Sequence, residues 1–121
     1  QKAKTTGALS VVDDQFGSPT FTWDLAGAIE VLLSANAQGI FHVTNRGICS
    51  WHAFAAKILE YAGLSNVSLS PISSDTLDRP ARRPAYSGLS NVKFQETTGK
   101  AMRVWQVALR DFMDRLGSDC R

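Results

Sequence analysis

The chain has 121 residues, of which 44% are hydrophobic and 20% are charged, and this balance is typical of a globular domain that buries a core. Its formal net charge of +2 is too small to indicate a nucleic-acid or membrane surface, so we expect neither partner. No apolar run approaches the roughly 20 residues that span a bilayer, and no secretory signal pattern is found. We therefore expect a cytoplasmic protein whose two cysteines, Cys49 and Cys120, are free thiols.

The first part of the chain alternates between strand and helix patterns. A run of β-branched and apolar residues from Leu9 to Asp14 predicts a mostly buried strand. Apolar residues at helical spacing then predict a helix from about Asp24 to Ala35, with Thr22 or Asp24 as its N-cap. We expect this helix to close near Gly39, which can adopt the left-handed conformation.

A second strand and a second helix follow. The segment Ile40 to Val43 is predicted to be a strand, and Ser50 is predicted to begin an amphipathic helix that ends at Gly63. The apolar stripe of this helix consists of Trp51, Phe54, Ala55, Ile58, Leu59 and Ala62. The resulting order, β-α-β-α, favours a sheet flanked by helices.

The remainder of the chain is less periodic. Residues 67–72 surround a proline and predict an edge strand or an extended segment, and residues 74–88 read as a long loop. Ser90 and Asn91 are predicted to cap a short helix. The last helix is predicted from Met102 to Leu116, before Gly117.

The turn after the first strand is the first candidate ligand site. Gly17 lets a ligand approach the backbone closely, and Pro19 restricts the backbone that presents Thr20. Thr20 and Gln15 offer hydrogen-bonding groups near the end of a strand, where α/β sheets bind ligands. The alternative is a purely structural turn in which Thr20 or Thr22 serves as the helix cap.

The loop with the sequence RPARRPAYS is the second candidate. Pro80 and Pro84 restrict a backbone that carries the adjacent residues Arg82 and Arg83. Neighbouring side chains diverge on an extended backbone, so at most one of the two arginines points to a given position. A guanidinium group matches phosphate oxygens in pairs. The alternative is a solvated basic loop or a surface ion pair.

Nothing else in the sequence indicates catalysis. His42 and His52 have no partner at metal-ligand spacing, so no metal site is expected. No glycine-rich dinucleotide fingerprint, phosphate-binding P-loop or Tyr-x-x-x-Lys pair occurs in the chain. The residues alone therefore predict an α/β domain with two candidate ligand loops and no catalytic residue.

Three segments, in order, carry a resemblance to a known family. VVDDQFGSPTFTWDLA, GIFHVTNRGICSWHAFAAKI and SDTLDRPARRPAYSGLSNVKF resemble the C-terminal part of the dTDP-4-dehydrorhamnose reductases, which are extended short-chain dehydrogenase/reductases. The resemblance runs from about Leu9 to Leu116. It implies a partial Rossmann-like sheet with flanking helices plus a small α/β substrate-binding portion, all in one domain of residues 1–121.

The same resemblance implies a function. Members of the family reduce the 4-keto group of dTDP-4-dehydro-6-deoxy-L-mannose to form dTDP-L-rhamnose, a precursor of bacterial cell-surface polysaccharide. NADPH, or NADH, is held in the family by an N-terminal Rossmann half that also carries a Tyr-x-x-x-Lys pair. We expect this chain to be a C-terminal portion without that half, so that alone it binds no cofactor and is inactive.

The resemblance also implies the residues that contact a dTDP-sugar substrate. Arg82 and Arg83 match the segment expected near the diphosphate, and Gln15 is a weaker candidate. Tyr86 and Ser87 also match the family, and for them packing alone is the alternative to a substrate contact. The segment that lines the sugar-nucleotide cleft matches Gly17, Ser18, Pro19 and Thr20.

Two alternatives to a reductase portion remain open at this point. One is a non-enzymatic binding or regulatory module, because relatives of this fold include a regulatory subunit of methionine adenosyltransferase. The other is part of a different nucleotide-sugar enzyme, such as an epimerase or a dehydratase. Because the strands at 9–12 and 40–43 would normally pair with strands of the absent half, their exposed edges predict self-association as a dimer or a domain-swapped form.

Overall fold

The computed structural model describes Thr5 and residues 7–78, 80–81 and 83–119. They form two compact units, one from the segments up to Gly17 and Ile48–Ser87, the other from Ser18–Gly47 and the segment from Gly88 onwards. The expected α/β class is confirmed. Within these residues no helix combines the length and the apolarity needed to cross a bilayer.

The elements follow one another along the chain as β1 (Ala8–Val12), β2 (Phe16–Gly17), α1 (Thr22–Ser34), β3 (Cys49–Ser50), α2 (Trp51–Tyr61), β4 (Ser68–Ile72), a 3-10 turn (Ser74–Thr76), α3 (Val92–Thr98) and α4 (Trp105–Asp119).

The first unit is built on a parallel strand pair. Strands β1 and β4 lie side by side in register, with Val12 opposite Ile72, and the predicted strand at 67–72 is thereby confirmed. Strands β2 and β3 form a short antiparallel pair, and α2 packs on β1 and β4. Ser50 caps α2 as predicted, because its hydroxyl oxygen accepts from the Ala53 N–H at 3.1 Å. Burial of Val12 and Leu59 anchors the helix to the strands.

The second unit is helical. Helices α1 and α3 pack on each other, and the buried residues Ala28, Phe94 and Met102 form its core. Helix α3 begins after Asn91 and ends at Gly99, whose φ of 65° is left-handed, as its C-cap position requires. Helix α4 contributes a second buried group, which consists of Trp105, Ala108 and Leu109.

The predicted strand at Ile40–Val43 is wrong. These residues have no strand partner in the described part of the chain, and a strand without a partner leaves its backbone groups unpaired. Phe41 and Val43 pack instead against the core of the second unit. The Ile40 carbonyl accepts from Lys93 Nζ at 2.8 Å, while the Ile40 side chain stays exposed. In place of the predicted β-α-β-α order, the chain up to α2 contains β1, β2, α1, β3 and α2.

The extent of α1 agrees with the prediction to within two residues at each end, but the residues predicted to cap and close it are wrong. The N-cap is Phe21, with no side-chain cap, and its N–H donates to Asn45 Oδ1 at 2.8 Å. A side chain distant in sequence thus replaces the expected cap by Thr22 or Asp24. At the other end the helix stops at Ser34, and Asn36 adopts a positive φ of 49° before Gly39 is reached. Asparagine is one of the few non-glycine residues that tolerate this conformation.

The boundaries predicted for α4 are shifted toward the C-terminus. The helix begins at Trp105 rather than at Met102, because a parallel bridge between Arg46 and Val104 holds the preceding backbone extended. The Arg46 N–H donates to the Arg103 carbonyl at 2.9 Å, and the Trp105 N–H donates to the Arg46 carbonyl at 3.0 Å. Gly117 lies within the helix and does not end it.

Replacing Gly47 with alanine is expected to destabilise the fold by about 2–4 kcal/mol, because two unfavourable effects coincide there. Gly47 has a φ of +95°, and an added Cβ would lie 3.0 Å from the indole Cδ1 of the buried Trp105. The control is Gly27→Ala, where φ is ordinary and nothing lies within 4 Å. This helical substitution should stabilise by about 0.5–1 kcal/mol. Thermal denaturation of both variants measures whether their stabilities change in opposite directions.

Cys49 is a free thiol in the structure, as expected, whereas Cys120 lies outside the described residues. Burial raises the pKa of Cys49 from 9.0 to about 11. We expect the folded chain, carrying Cys120→Ser, to react with a disulfide reagent at pH 8 about 100-fold more slowly than the urea-unfolded chain. Equal rates measured spectrophotometrically would show that the Cys49 thiol is not protected.

Candidate functional site

The candidate site lies in the first unit, where β1 and β4 end. Because these strands are parallel, their carboxyl ends lie at the same edge. Ligands of α/β proteins bind at that edge. Two cavities of about 360 and 430 Å³ are found there, each large enough for part of a small-molecule ligand. They share three lining residues, Gln15, Leu77 and Arg83.

The two cavities differ in chemistry. The first is walled largely by apolar groups, including Val12, Ile72 and the half-exposed indole of Trp51. The second is bordered by polar groups, including Asp14, Ser74 and Asp75. The shared residues therefore lie where an apolar surface and a polar surface are both within reach, which suits a ligand with an aromatic part and a charged part.

Gln15 is a buried polar residue at this edge, only 6% exposed. Its carbonyl accepts from the Trp51 N–H at 3.3 Å and so ties the end of β1 to the start of α2. Within the described part of the chain its side-chain amide makes no hydrogen bond, although it lines both cavities. A buried amide is costly unless it is paired, so a ligand or water in the cavity would satisfy it.

Arg83 is exposed and lines both cavities. Among the described residues no carboxylate lies within ion-pair distance of it, so the surface ion pair considered from the sequence is not found for this residue. Its guanidinium is available to an anion that enters the site. Arg82 lies outside the described residues, so its predicted role remains a prediction.

Gly17 lies in β2, two residues after Gln15, and its role in ligand binding stays a prediction. A Cβ at Gly17 would lie 3.0 Å from Ser87 Oγ, so a protein side chain occupies the space that the missing side chain leaves. Ser87 also donates from its backbone N–H to the Phe16 carbonyl at 2.9 Å. The close approach made possible by Gly17 therefore serves the packing of residues 16–17 against Ser87.

Ser18, Pro19 and Thr20 belong to the second unit. The Thr20 hydroxyl donates to the Ser18 carbonyl at 3.0 Å and accepts from the Asn45 N–H at 3.3 Å. The structural alternative, a helix cap by Thr20 or Thr22, is not found, because the N-cap is Phe21; the Thr20 hydroxyl instead satisfies backbone groups of Ser18 and Asn45. A contact of these three residues with substrate stays a prediction that rests on the family resemblance.

Two further residues, Trp51 and Asp14, line the cavities and were not predicted from the sequence. Trp51 was assigned to the buried stripe of its helix, but it is 50% exposed and lines the first cavity. Its position directly after the Ser50 cap, at a strand-to-helix junction, is the signal that would have marked it. Asp14, which follows β1, lines the second cavity, and the backbone N–H of Ser74 lowers the pKa of its carboxyl below the ordinary value.

A polar cluster at the start of α2 has a structural explanation. The Ser50 hydroxyl donates to Asp13 Oδ1, and His52 Nδ1 lies 3.9 Å from the same oxygen. These contacts link the end of β1 to the first turn of the helix. In the described part of the chain, no three histidine, cysteine or acidic side chains are placed to hold a metal ion.

A parallel strand pair with ligand-sized cavities at its carboxyl edge, lined by an arginine and a buried amide, defines a small-molecule-binding α/β domain. The RmlD substrate binding domain family matches residues 1–118 of the chain. The chain belongs to this family.

Named relatives agree with this assignment. The spore coat polysaccharide biosynthesis protein SpsK of Bacillus subtilis is 43% identical over 118 residues, which cover 98% of this chain and 41% of SpsK. A dTDP-4-dehydrorhamnose reductase from Clostridium acetobutylicum has a solved structure that matches with a TM-score of 0.92 and 40% identity, over 96% of this chain and 41% of that one.

A second solved structure is that of the Bacillus anthracis dTDP-4-dehydrorhamnose reductase in complex with NADP. It matches with a TM-score of 0.86 and 35% identity, over 94% of this chain and 40% of that one. The chain thus spans about two fifths of the length of the relatives it matches.

Proposed function

We propose that the chain is the sugar-nucleotide-binding portion of an NADPH-dependent reductase that acts on a dTDP-linked 4-keto sugar. The specific reaction proposed is the reduction of dTDP-4-dehydro-6-deoxy-L-mannose to dTDP-L-rhamnose, in the cytoplasm, for cell-surface polysaccharide. The observation that carries the proposal is the position of Arg83 and Gln15 in the same cavities, in a chain that belongs to a substrate-binding family.

Each residue of the site has a role in this proposal that its chemistry supports. The Arg83 guanidinium pairs with the diphosphate, where charge-assisted hydrogen bonds are worth about 1.5–3 kcal/mol each. The Gln15 amide, which both donates and accepts, bonds to a polar edge of the nucleotide or sugar. The half-exposed Trp51 ring offers a flat apolar surface on which a nucleobase can stack.

The chemical step is assigned to residues outside this chain. When bound, the nicotinamide of NADPH would supply the hydride, and in the family a Tyr-x-x-x-Lys pair handles the proton; the 121-residue sequence has no such pair. The residues present here bind and orient the substrate. The NADP complex of the Bacillus anthracis relative supports NADPH as the cofactor of the whole enzyme. Without added partners, this chain is expected to oxidise no NADPH.

The test is an NMR titration of the isotopically labelled chain with dTDP and, in parallel, with NADPH and inorganic pyrophosphate. We expect saturable shifts with dTDP centred on Gln15, the Trp51 indole and Arg83. Pyrophosphate should move Arg83 but leave the Trp51 indole unchanged. A chain that responds equally to dTDP and pyrophosphate would be an anion binder without nucleotide recognition, and absence of any response to dTDP would contradict the proposal.

Self-association is proposed on the basis of the strand edges. Strand β1 pairs with β4, and in the described part of the chain no second strand pairs with Leu9–Val12. An open edge of this kind accepts a strand from another chain. Light scattering coupled to size exclusion should therefore show a mass that rises with concentration. A single monomer mass over the whole concentration range would contradict the proposal.

A further inference from the structure

The Asp14 carboxylate holds the beginning of the loop that carries Arg83. Its Oδ2 accepts three hydrogen bonds, from the Ser73 hydroxyl at 3.1 Å, from the Ser74 N–H at 2.8 Å and from the Ser74 hydroxyl at 2.9 Å. Three donors on one oxygen stabilise the ionised form, in agreement with the lowered pKa of this carboxyl. The carboxylate thereby joins the segment after β1 to the segment after β4.

The far end of the same loop is held by the neighbouring segment. The Phe16 N–H donates to the Ala85 carbonyl at 2.7 Å, and Phe16 forms a parallel bridge with Tyr86. The two ends of the loop from 74 to 85 are therefore attached to two positions, Asp14 and Phe16, and Gln15 lies between them in sequence. Surface loops whose ends are this close together are a recurrent and often functional structure.

The 3-10 turn connects the Asp14 attachment to the rest of the loop. Thr76 N–H donates to the Ser73 carbonyl and Leu77 N–H to the Ser74 carbonyl, both at 3.1 Å. Leu77 and Arg83 then line the same two cavities. Ser74 itself lines the second cavity, so the segment that Asp14 holds borders the site directly.

We propose that Asp14 is the positioning residue for Arg83: its carboxylate closes the base of the 74–85 loop and thereby fixes where the guanidinium meets an anionic ligand. This inference rests on the proposed function for the nature of that ligand, a nucleoside diphosphate. Asp14 acts through the loop and not by touching the ligand, since its Oδ2 is engaged by Ser73 and Ser74 and its negative charge makes a direct contact with a diphosphate unfavourable.

The test compares three variants in calorimetric titrations with dTDP. Asp14→Ala removes all three hydrogen bonds and should weaken dTDP binding about 10-fold or more, whereas Asp14→Asn, a neutral acceptor, should give an intermediate loss. The matched control is Asp78→Ala, which removes the same charge from an exposed position on the same loop. It should change the affinity less than about 2-fold.

A double substitution separates positioning from general damage to the fold. In an Arg83→Gln background, Asp14→Ala should cost less than about 2-fold, because the group that Asp14 positions is already gone. Equal losses in both backgrounds, or an unchanged affinity in Asp14→Ala, would overturn the inference. An increase in affinity would do the same and would mark Asp14 as a repelling charge.

A second readout needs no ligand. Amide hydrogen exchange at Ser74 and Leu77 should accelerate in Asp14→Ala and not in Asp78→Ala, while the Phe16 amide, attached to Ala85, stays protected. If the parent chain bound no dTDP, the proposed function would fail while this exchange would still decide whether Asp14 holds the loop. Unchanged exchange at Ser74 would overturn the inference on its own.

Discussion

Asn45→Ala is expected to lower the free energy of unfolding by about 3–4 kcal/mol, the largest effect of any single polar substitution considered for this chain. Asn45 is 0% exposed and its side chain has three partners. Oδ1 accepts from the Phe21 N–H at 2.8 Å, and Nδ2 donates to Asp24 Oδ2 at 2.7 Å and to the Arg103 carbonyl at 3.3 Å. Alanine leaves all three groups without that partner.

The loss extends beyond the three hydrogen bonds. The Phe21 N–H is the N-cap donor of α1, and no side chain within the helix start satisfies it. Asp24 Oδ2 also accepts a hydrogen bond from Arg103 Nε at 2.8 Å, and this hydrogen bond raises the pKa of the arginine. Asn45 therefore joins the start of α1 to the segment before α4, and its removal weakens both.

Urea denaturation followed by circular dichroism measures this effect. The control is Asn66→Ala, an exposed asparagine in a turn, which should change the free energy of unfolding by no more than about 0.5 kcal/mol. A loss below about 1 kcal/mol in Asn45→Ala would mean that water takes over the hydrogen bonds of the amide. The Asn45 side chain would then not be the main link between the start of α1 and the segment before α4.

Arg83→Ala is expected to reduce dTDP affinity by about 10- to 100-fold, which corresponds to about one charge-assisted hydrogen bond to the diphosphate. Arg83→Lys should recover only part of this loss, because an ammonium group cannot form the paired contacts of a guanidinium. The fold should be unaffected, since Arg83 is exposed and has no ion pair among the described residues.

Calorimetric titration with dTDP and with thymidine provides the measurement. Thymidine lacks the diphosphate, so Arg83→Ala should leave its binding unchanged. Arg46→Ala, which removes the same charge from an exposed position in the second unit, is the control and should bind dTDP like the parent. A similar loss of dTDP affinity in both variants would mean that the arginines act only through long-range electrostatic attraction. In that case high salt would abolish the difference from the parent.

Helix α2 was predicted correctly because its start and end are encoded locally. The Ser50 hydroxyl accepts from an N–H three residues later, and Gly63 supplies the left-handed residue after the last turn, with a φ of 65°. Both signals depend on residues within one turn of the helix boundary, so they can be recognised in a short stretch of sequence. The same holds for the end of α3 at Gly99.

Where the predictions failed, the deciding partner was distant in sequence. The cap of α1 comes from Asn45, 24 residues away. The start of α4 is set by Arg46, whose carbonyl accepts from Trp105. At Ile40–Val43 the strand pattern is present, but a strand forms only with a partner, and in the described part of the chain none pairs with it.

The candidate site also combines features encoded locally in the sequence with features set by contacts between distant residues. The α/β class, the family and the residue types suited to a nucleotide sugar could be predicted from the amino-acid sequence, because composition, local caps and ordered segments are properties of the linear chain. The three-dimensional structure was needed to show that Gln15 and Arg83 line the same cavities, that Trp51 and Asp14 each line one of them, and that the Thr20 hydroxyl is engaged elsewhere. The reason is physical: the parallel pairing of β1 with β4 brings chain segments about 60 residues apart to one edge, and no local pattern encodes that pairing.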